Sequence, residues 1–184
     1  MGVMAAFIFA AQMFNFQIPG GTSGHLLGGV LAGVLLGPWA GTIVMACVVG
    51  VQGLVFQDCG LVAMGANIFN MGIVGTLGGF ALYRIIAAAL GGELKGRLPA
   101  AAIAAWVSVE AAAVLAAFQL ALSDTTSLGA ALVAMAGWHA LIGIGEAVIT
   151  VAALSFIAAS RADLLEMRHM RPSRPRTALS GELP

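Results

Sequence analysis

Residues 18–29 read IPGGTSGHLLGG, and their surroundings decide the fold. Thr22, Ser23 and His25 stand among glycines with no charged residue beside them. The chain around them is apolar: of 184 residues, 60% are hydrophobic and 9% charged, against roughly 25% charged in soluble domains. Its uncharged stretches approach the roughly 20 residues that cross a bilayer as a helix. They are continuous and do not alternate as a membrane barrel requires. The fold class is therefore all-α, a polytopic membrane bundle of about six transmembrane helices. The 25 glycines and the many alanines suit helices that pack closely in lipid.

Glycine and proline clusters divide the chain into segments 2–16, 23–36, 38–57, 63–90, 99–122 and 134–158. The second is short for a crossing and is parted from the third only by Gly37 and Pro38. Residues 1–160 form the membrane domain; residues 161–184 are a basic, proline-bearing tail expected to be disordered. The first residues, MGVMAAFIFAAQMF, lack a basic start and a small-residue cleavage site, and read as a retained helix. Cys47 lies in an apolar run and reads as a small hydrophobe; with Cys59 it has no CxxC spacing.

The cations set an orientation. Arg84, Lys95 and Arg97 flank the connection between segments four and five, and Arg161, Arg168, Arg171, Arg174 and Arg176 lie in the tail. Both places fall on one side if each segment crosses once, and cytoplasmic loops collect Lys and Arg. The expected location is the cell (inner) membrane, with the tail cytoplasmic. Parity then puts residues 17–24, 58–62 and 123–133 outside and Met1 inside. His25, Asp58, Asn67 and His139 converge on the outer half.

Each polar residue has two readings. His25 follows Gly-Gly-Thr-Ser-Gly at an expected helix start. Thr22 and Ser23 then cap that helix and His25 is interfacial, or the imidazole is a metal ligand of the kind that suits Zn, Cu, Fe, Ni and Co. His139 and Glu146 are seven apart in GWHALIGIGEAVIT, near one helix face. They either satisfy polar backbone at broken helices or support an ion site. Asn67 and Asn70 in GANIFNM join helices or orient a ligand. Glu110 is an intramembrane acid with a partner or the mark of a tilted helix. Gly29, Gly33, Gly37 and Gly41 recur at four-residue spacing, a close-packing face.

No Walker motif, GxSxG or HExxH is present, so the chain shows no means of hydrolysing ATP and is not read as an enzyme. An intramembrane metal hydrolase built on His25, His139 and Glu146 is disfavoured because Glu146 lies about 10 Å along the helix from His139. An organic-solute transporter subunit, for a vitamin for example, is the alternative. Such pockets are aromatic-lined, and only thirteen aromatics occur here: three Trp, one Tyr and nine Phe.

Three stretches, AAFIFAAQMFNFQIPGGTSGHLLGGVLAGVLLGPWAG, GLVAMGANIFNMGIVG and GWHALIGIGEAVIT, closely resemble the CbiM/NikM family over residues 4 to 158. These are the substrate-binding membrane components of energy-coupling factor (ECF) transporters for cobalt and nickel. The resemblance implies a substrate-capturing role in an ECF-type ABC importer for Co2+ or Ni2+. The ion is cargo, with no prosthetic group, and supplies cobalamin synthesis or nickel enzymes. It implies as partners a transmembrane coupling protein, cytoplasmic ATPases and a small membrane subunit of the CbiN/NikL type, with no nucleic acid. It makes His25 a direct metal ligand; from the residues themselves, Thr22, Ser23, Asn67, His139, Glu146 and Asp58 are the candidates to line or orient the pocket. Family members usually begin Met-His-Ile-Pro and carry one more helix, seven in all. Their amino terminus and second-residue histidine complete a flat nitrogen site with the loop histidine. This chain begins Met-Gly-Val-Met, so an upstream segment that would end beside His25 is expected to be missing.

Overall fold

The computed structural model describes residues 1–18, 22–58 and 60–161; Cys59 and all of the tail beyond Arg161 lie outside them. Among the described residues the regular elements are helices, apart from one small hairpin. The helices are α1 (Gly2–Gln12), α2 (Gly29–Leu36), α3 (Pro38–Val55), α4 (Gly60–Asn67), α5 (Gly79–Ala89), α6 (Leu94–Leu122) and α7 (Leu128–Ser160). A π-helical stretch, Ile68–Gly78, joins α4 to α5. The antiparallel hairpin pairs β1 (Phe16–Ile18) with β2 (Thr22–Gly24). The all-α membrane bundle is as the composition requires. Four helical rods are long and apolar enough to cross a bilayer: Pro38–Val55, Gly60–Ala89, Leu94–Leu122 and Leu128–Ser160. The protein is an integral membrane protein.

The expected element boundaries shift for local reasons. The 2–16 segment stops at Gln12 because the chain turns into β1. Pro99 looks like a helix start, yet α6 begins a turn earlier, where Arg97 Nε donates to the Gly92 carbonyl. The last segment gains residues at both ends and becomes a 33-residue helix.

Two halves differ in character. α6 and α7 run side by side, and α6 turns Ala100, Ala101, Ala104, Ala105, Ala112, Ala113 and Ala117 inward, all buried. Small side chains bring helix axes close enough for dispersion contacts to accumulate, which drives association in lipid. The other half is broken. α2 has 8 residues and stops at Gly37 (φ 88°), where Pro38 opens α3. The chain doubles back there. A Cβ on Gly41 would lie 3.0 Å from the Ala32 carbonyl carbon and the Gly33 nitrogen, so only glycine admits the crossing.

Helical rise places α2's start about 15 Å short of the far end of α3. Gln12 confirms that depth: its Nε2 donates to the Leu27 carbonyl at 2.7 Å and approaches Met45 Sδ, near the middle of α3, at 3.3 Å. The end of the polar stretch therefore dips into the bundle. Leu27 joins the apolar cluster of Ile8, Val44, Met45, Val48 and Met71.

Candidate functional site

The stretch 25–28 is irregular, and α2 starts only at Gly29. This corrects the expectation that His25 opens a helix capped by Thr22 and Ser23. Both are in β2, Thr22 opposite Ile18 and Ser23 opposite Gln17. Gly28 takes the N-cap position with φ 74°, a left-handed backbone that glycine adopts without cost.

The cap comes from the far end of the sequence. Glu146 in α7 is 3% exposed. Its Oε2 accepts the Leu27 N–H at 3.0 Å and its Oε1 the Gly28 N–H at 2.6 Å. A carboxylate that takes two backbone N–H groups at a helix start gains charge-assisted hydrogen bonds and a favourable helix dipole. Leu27 is held on both sides, its carbonyl by Gln12 and its N–H by Glu146. Of the two readings for Glu146, satisfaction of backbone at a broken helix is the one its contacts show. Gln12 was not singled out from sequence. A lone glutamine in an apolar helix was the available signal.

The loop is pressed on all sides. A Cβ on Gly24 would come 2.5 Å from Ile142 Cδ1 on α7; one on Gly29 would come 2.9 Å from Thr76 Oγ1 and 3.0 Å from the Gly75 backbone. The π-helical stretch supplies that contact surface. Thr76 Oγ1 donates to the Met71 carbonyl five residues back, matching the wider π register. Such segments concentrate at functional sites.

His25 is half-buried, and its Nδ1 lies 2.9 Å from the Leu26 carbonyl. His139 is 6% exposed, and its Nδ1 lies 2.7 Å from the Met135 carbonyl. A carbonyl only accepts, so each Nδ1 is the donor, and Nε2 is the nitrogen that the neutral ring leaves free. That is the form in which imidazole ligates a metal. Beside the rings is a cavity of about 50 Å³ lined by Leu27, Asn67, Asn70, Met71, Val109 and His139, with Met135 and alanines of α6. Asn70 exchanges two hydrogen bonds with Gln119 of α6, at 2.8 and 3.0 Å. This is the joining role, and Gln119 is the partner that sequence reading did not name.

The structure thus gathers His25, Asn67, His139 and Glu146 around the loop. Asp58 is in the turn after α3, where its N–H donates to the Gln52 carbonyl, and it is not in the lining of the cavity of about 50 Å³. Glu110 stays outside the cavity lining, and its buried Oε1 has no hydrogen-bond partner among the described residues. Cys47 is a free thiol on the outer surface of α3. Among the described residues no three His, Cys, Asp or Glu side chains converge on one point.

A polar, imidazole-bearing loop whose end is sunk into a bundle of apolar helices marks an integral membrane protein with a polar site inside it. Comparison with known proteins makes the class specific. Residues 1–164 match the family described as "CbiM: Cobalt uptake substrate-specific transmembrane region", and the chain belongs to that family. It is 46% identical over 169 residues to a putative fused nickel transport protein NikMN of Archaeoglobus fulgidus, covering 91% of this chain and 55% of that protein. It is 42% identical over 167 residues to a putative metal transport protein of Haloquadratum walsbyi, covering 90% and 74%. A solved structure titled as a transition metal transporter superposes with a TM-score of 0.79 at 33% identity, covering 89% of this chain and 78% of that one. These relatives are named as transport proteins, not as enzymes.

Proposed function

We propose that the chain is the substrate-capturing membrane component of an ECF-type importer for Co2+ or Ni2+, with His25 as a direct ligand. One observation carries the reading: the chain just after His25 is held at Leu27 and Gly28 by Gln12 and Glu146, while His25 Nδ1 lies on the Leu26 carbonyl and leaves Nε2 as the ring nitrogen open to an ion. Imidazole nitrogen suits both ions. The two cavities described beside the loop, about 50 and 10 Å³, are of a size for an ion or a water.

The partners in this reading are a transmembrane coupling protein, cytoplasmic ATPases and a small CbiN/NikL-type subunit. Support for the last comes from the A. fulgidus relative, whose name describes a fused protein. The cargo side of the bundle is the outer face, and the arginine-bearing tail is cytoplasmic by its charge. The test is uptake of cobalt or nickel in cells carrying the partner subunits. His25→Ala is expected to lower uptake at least about tenfold, the scale of lost metal-site contacts; unchanged uptake refutes the assignment.

A further inference from the structure

Beneath the loop, the cavity walled by the π-helical stretch, α6 and α7 lies deeper than His25 and has its own donors. Most of its polar lining is satisfied by protein. Asn70 is paired with Gln119, and His139 Nδ1 is on the Met135 carbonyl. His139 Nε2 and the Asn67 side-chain amide are left, both on the lining of one space of about 50 Å³. His139 is buried and Asn67 half-buried, and an imidazole buried in a bilayer protein is costly unless something binds it. The space holds one ion with a water, since a water claims about 30 Å³. Leu27 forms part of the same wall, two residues from His25. The cavity thus adjoins the end of the loop.

We propose that this cavity is a second cation site, which takes a divalent first-row transition ion through His139 Nε2 and the Asn67 amide oxygen and passes cargo inward from the loop. The choice of ion rests on the transport reading above; the site rests on the cavity. Its donors are one imidazole and one neutral oxygen. It is therefore weaker than a site rich in nitrogen ligands, as a relay needs if the ion is to leave again.

The experiment uses the full chain in lipid nanodiscs, dialysed to equilibrium against CoCl2, with bound cobalt counted in the wild type, His139→Ala and His25→Ala. The expected result is that His139→Ala binds one equivalent fewer than the wild type, and that His25→Ala retains the equivalent that His139 holds. Equal counts in wild type and His139→Ala, whatever the number, overturn the proposal. Equal counts in wild type and His25→Ala overturn the loop assignment instead, so the two failures are distinct. If His139→Ala does not elute as a folded protein, Asn67→Leu decides. Cobalt bound at the second site then weakens about tenfold, and unchanged binding at both sites overturns the proposal.

Discussion

The α6–α7 half and the α2–π-helix half solve one problem in opposite ways. In lipid every backbone N–H and C=O needs a partner inside the protein. α6 and α7 meet this within themselves as rods of 29 and 33 residues that touch through alanine. The other half interrupts its helices and so exposes backbone, which side chains must then cover. Glu146 covers the start of α2, Gln12 the Leu27 carbonyl, and Thr76 a carbonyl of the π-helical stretch. Irregular backbone is where a polar site can be built, and its polar supports come from helices remote in sequence. The regular half contributes one of them, Glu146, and acts as the fixed wall.

If this contrast is right, the largest loss comes from the support that bridges the halves. Glu146→Leu strands two buried N–H groups, and stability is expected to fall by about 3 kcal/mol or more; thermal unfolding in nanodiscs measures it. Glu146→Gln keeps one good acceptor and is expected to lose roughly half as much. Next come the glycines of the broken half. Gly41→Ala and Gly29→Ala each force a Cβ to about 3.0 Å from backbone atoms, and overpacking of this kind costs about 1–3 kcal/mol. The Asn70–Gln119 pair should couple by about 1 kcal/mol in a double-mutant cycle of the same unfolding measurement. Smallest is Gly137→Ala in α7, where no atom lies within 4 Å of the new Cβ. Its helix propensity predicts a gain of about 0.5–1 kcal/mol. A loss at Gly137 equal to that at Gly41 would erase the distinction between the halves.

Much of the architecture was legible. Charge-free runs, the Gly37–Pro38 break and the small-residue spacing of Gly29, Gly33 and Gly41 announced a packed bundle with a short second helix. The extra turn of α6 before Pro99 and the π-helical stretch were not legible. Local propensity carries no signal for a register set by a neighbour's contact. The site divided along the same line. His25, Asn67, His139 and Glu146 stood out as polar residues in an apolar chain, and the structure gathers them. Asp58 stood out equally and is not in the lining of that cavity; polarity marks a residue as costly in lipid without saying which neighbour relieves it.

What the sequence determined by itself is therefore the solvent: 60% hydrophobic residues and 9% charged commit this chain to lipid and to helices, because only internally bonded backbone survives there. The tertiary structure alone decided where the polar loop sits. Glycine and proline breaks, with the parity of the charges, put His25 at a helix start near the rim. The fold draws the end of that loop into the bundle, because a carboxylate 118 residues away from Gly28 supplies the acceptors its backbone lacks. Pairing at such separation depends on how helices cross, which no local pattern encodes.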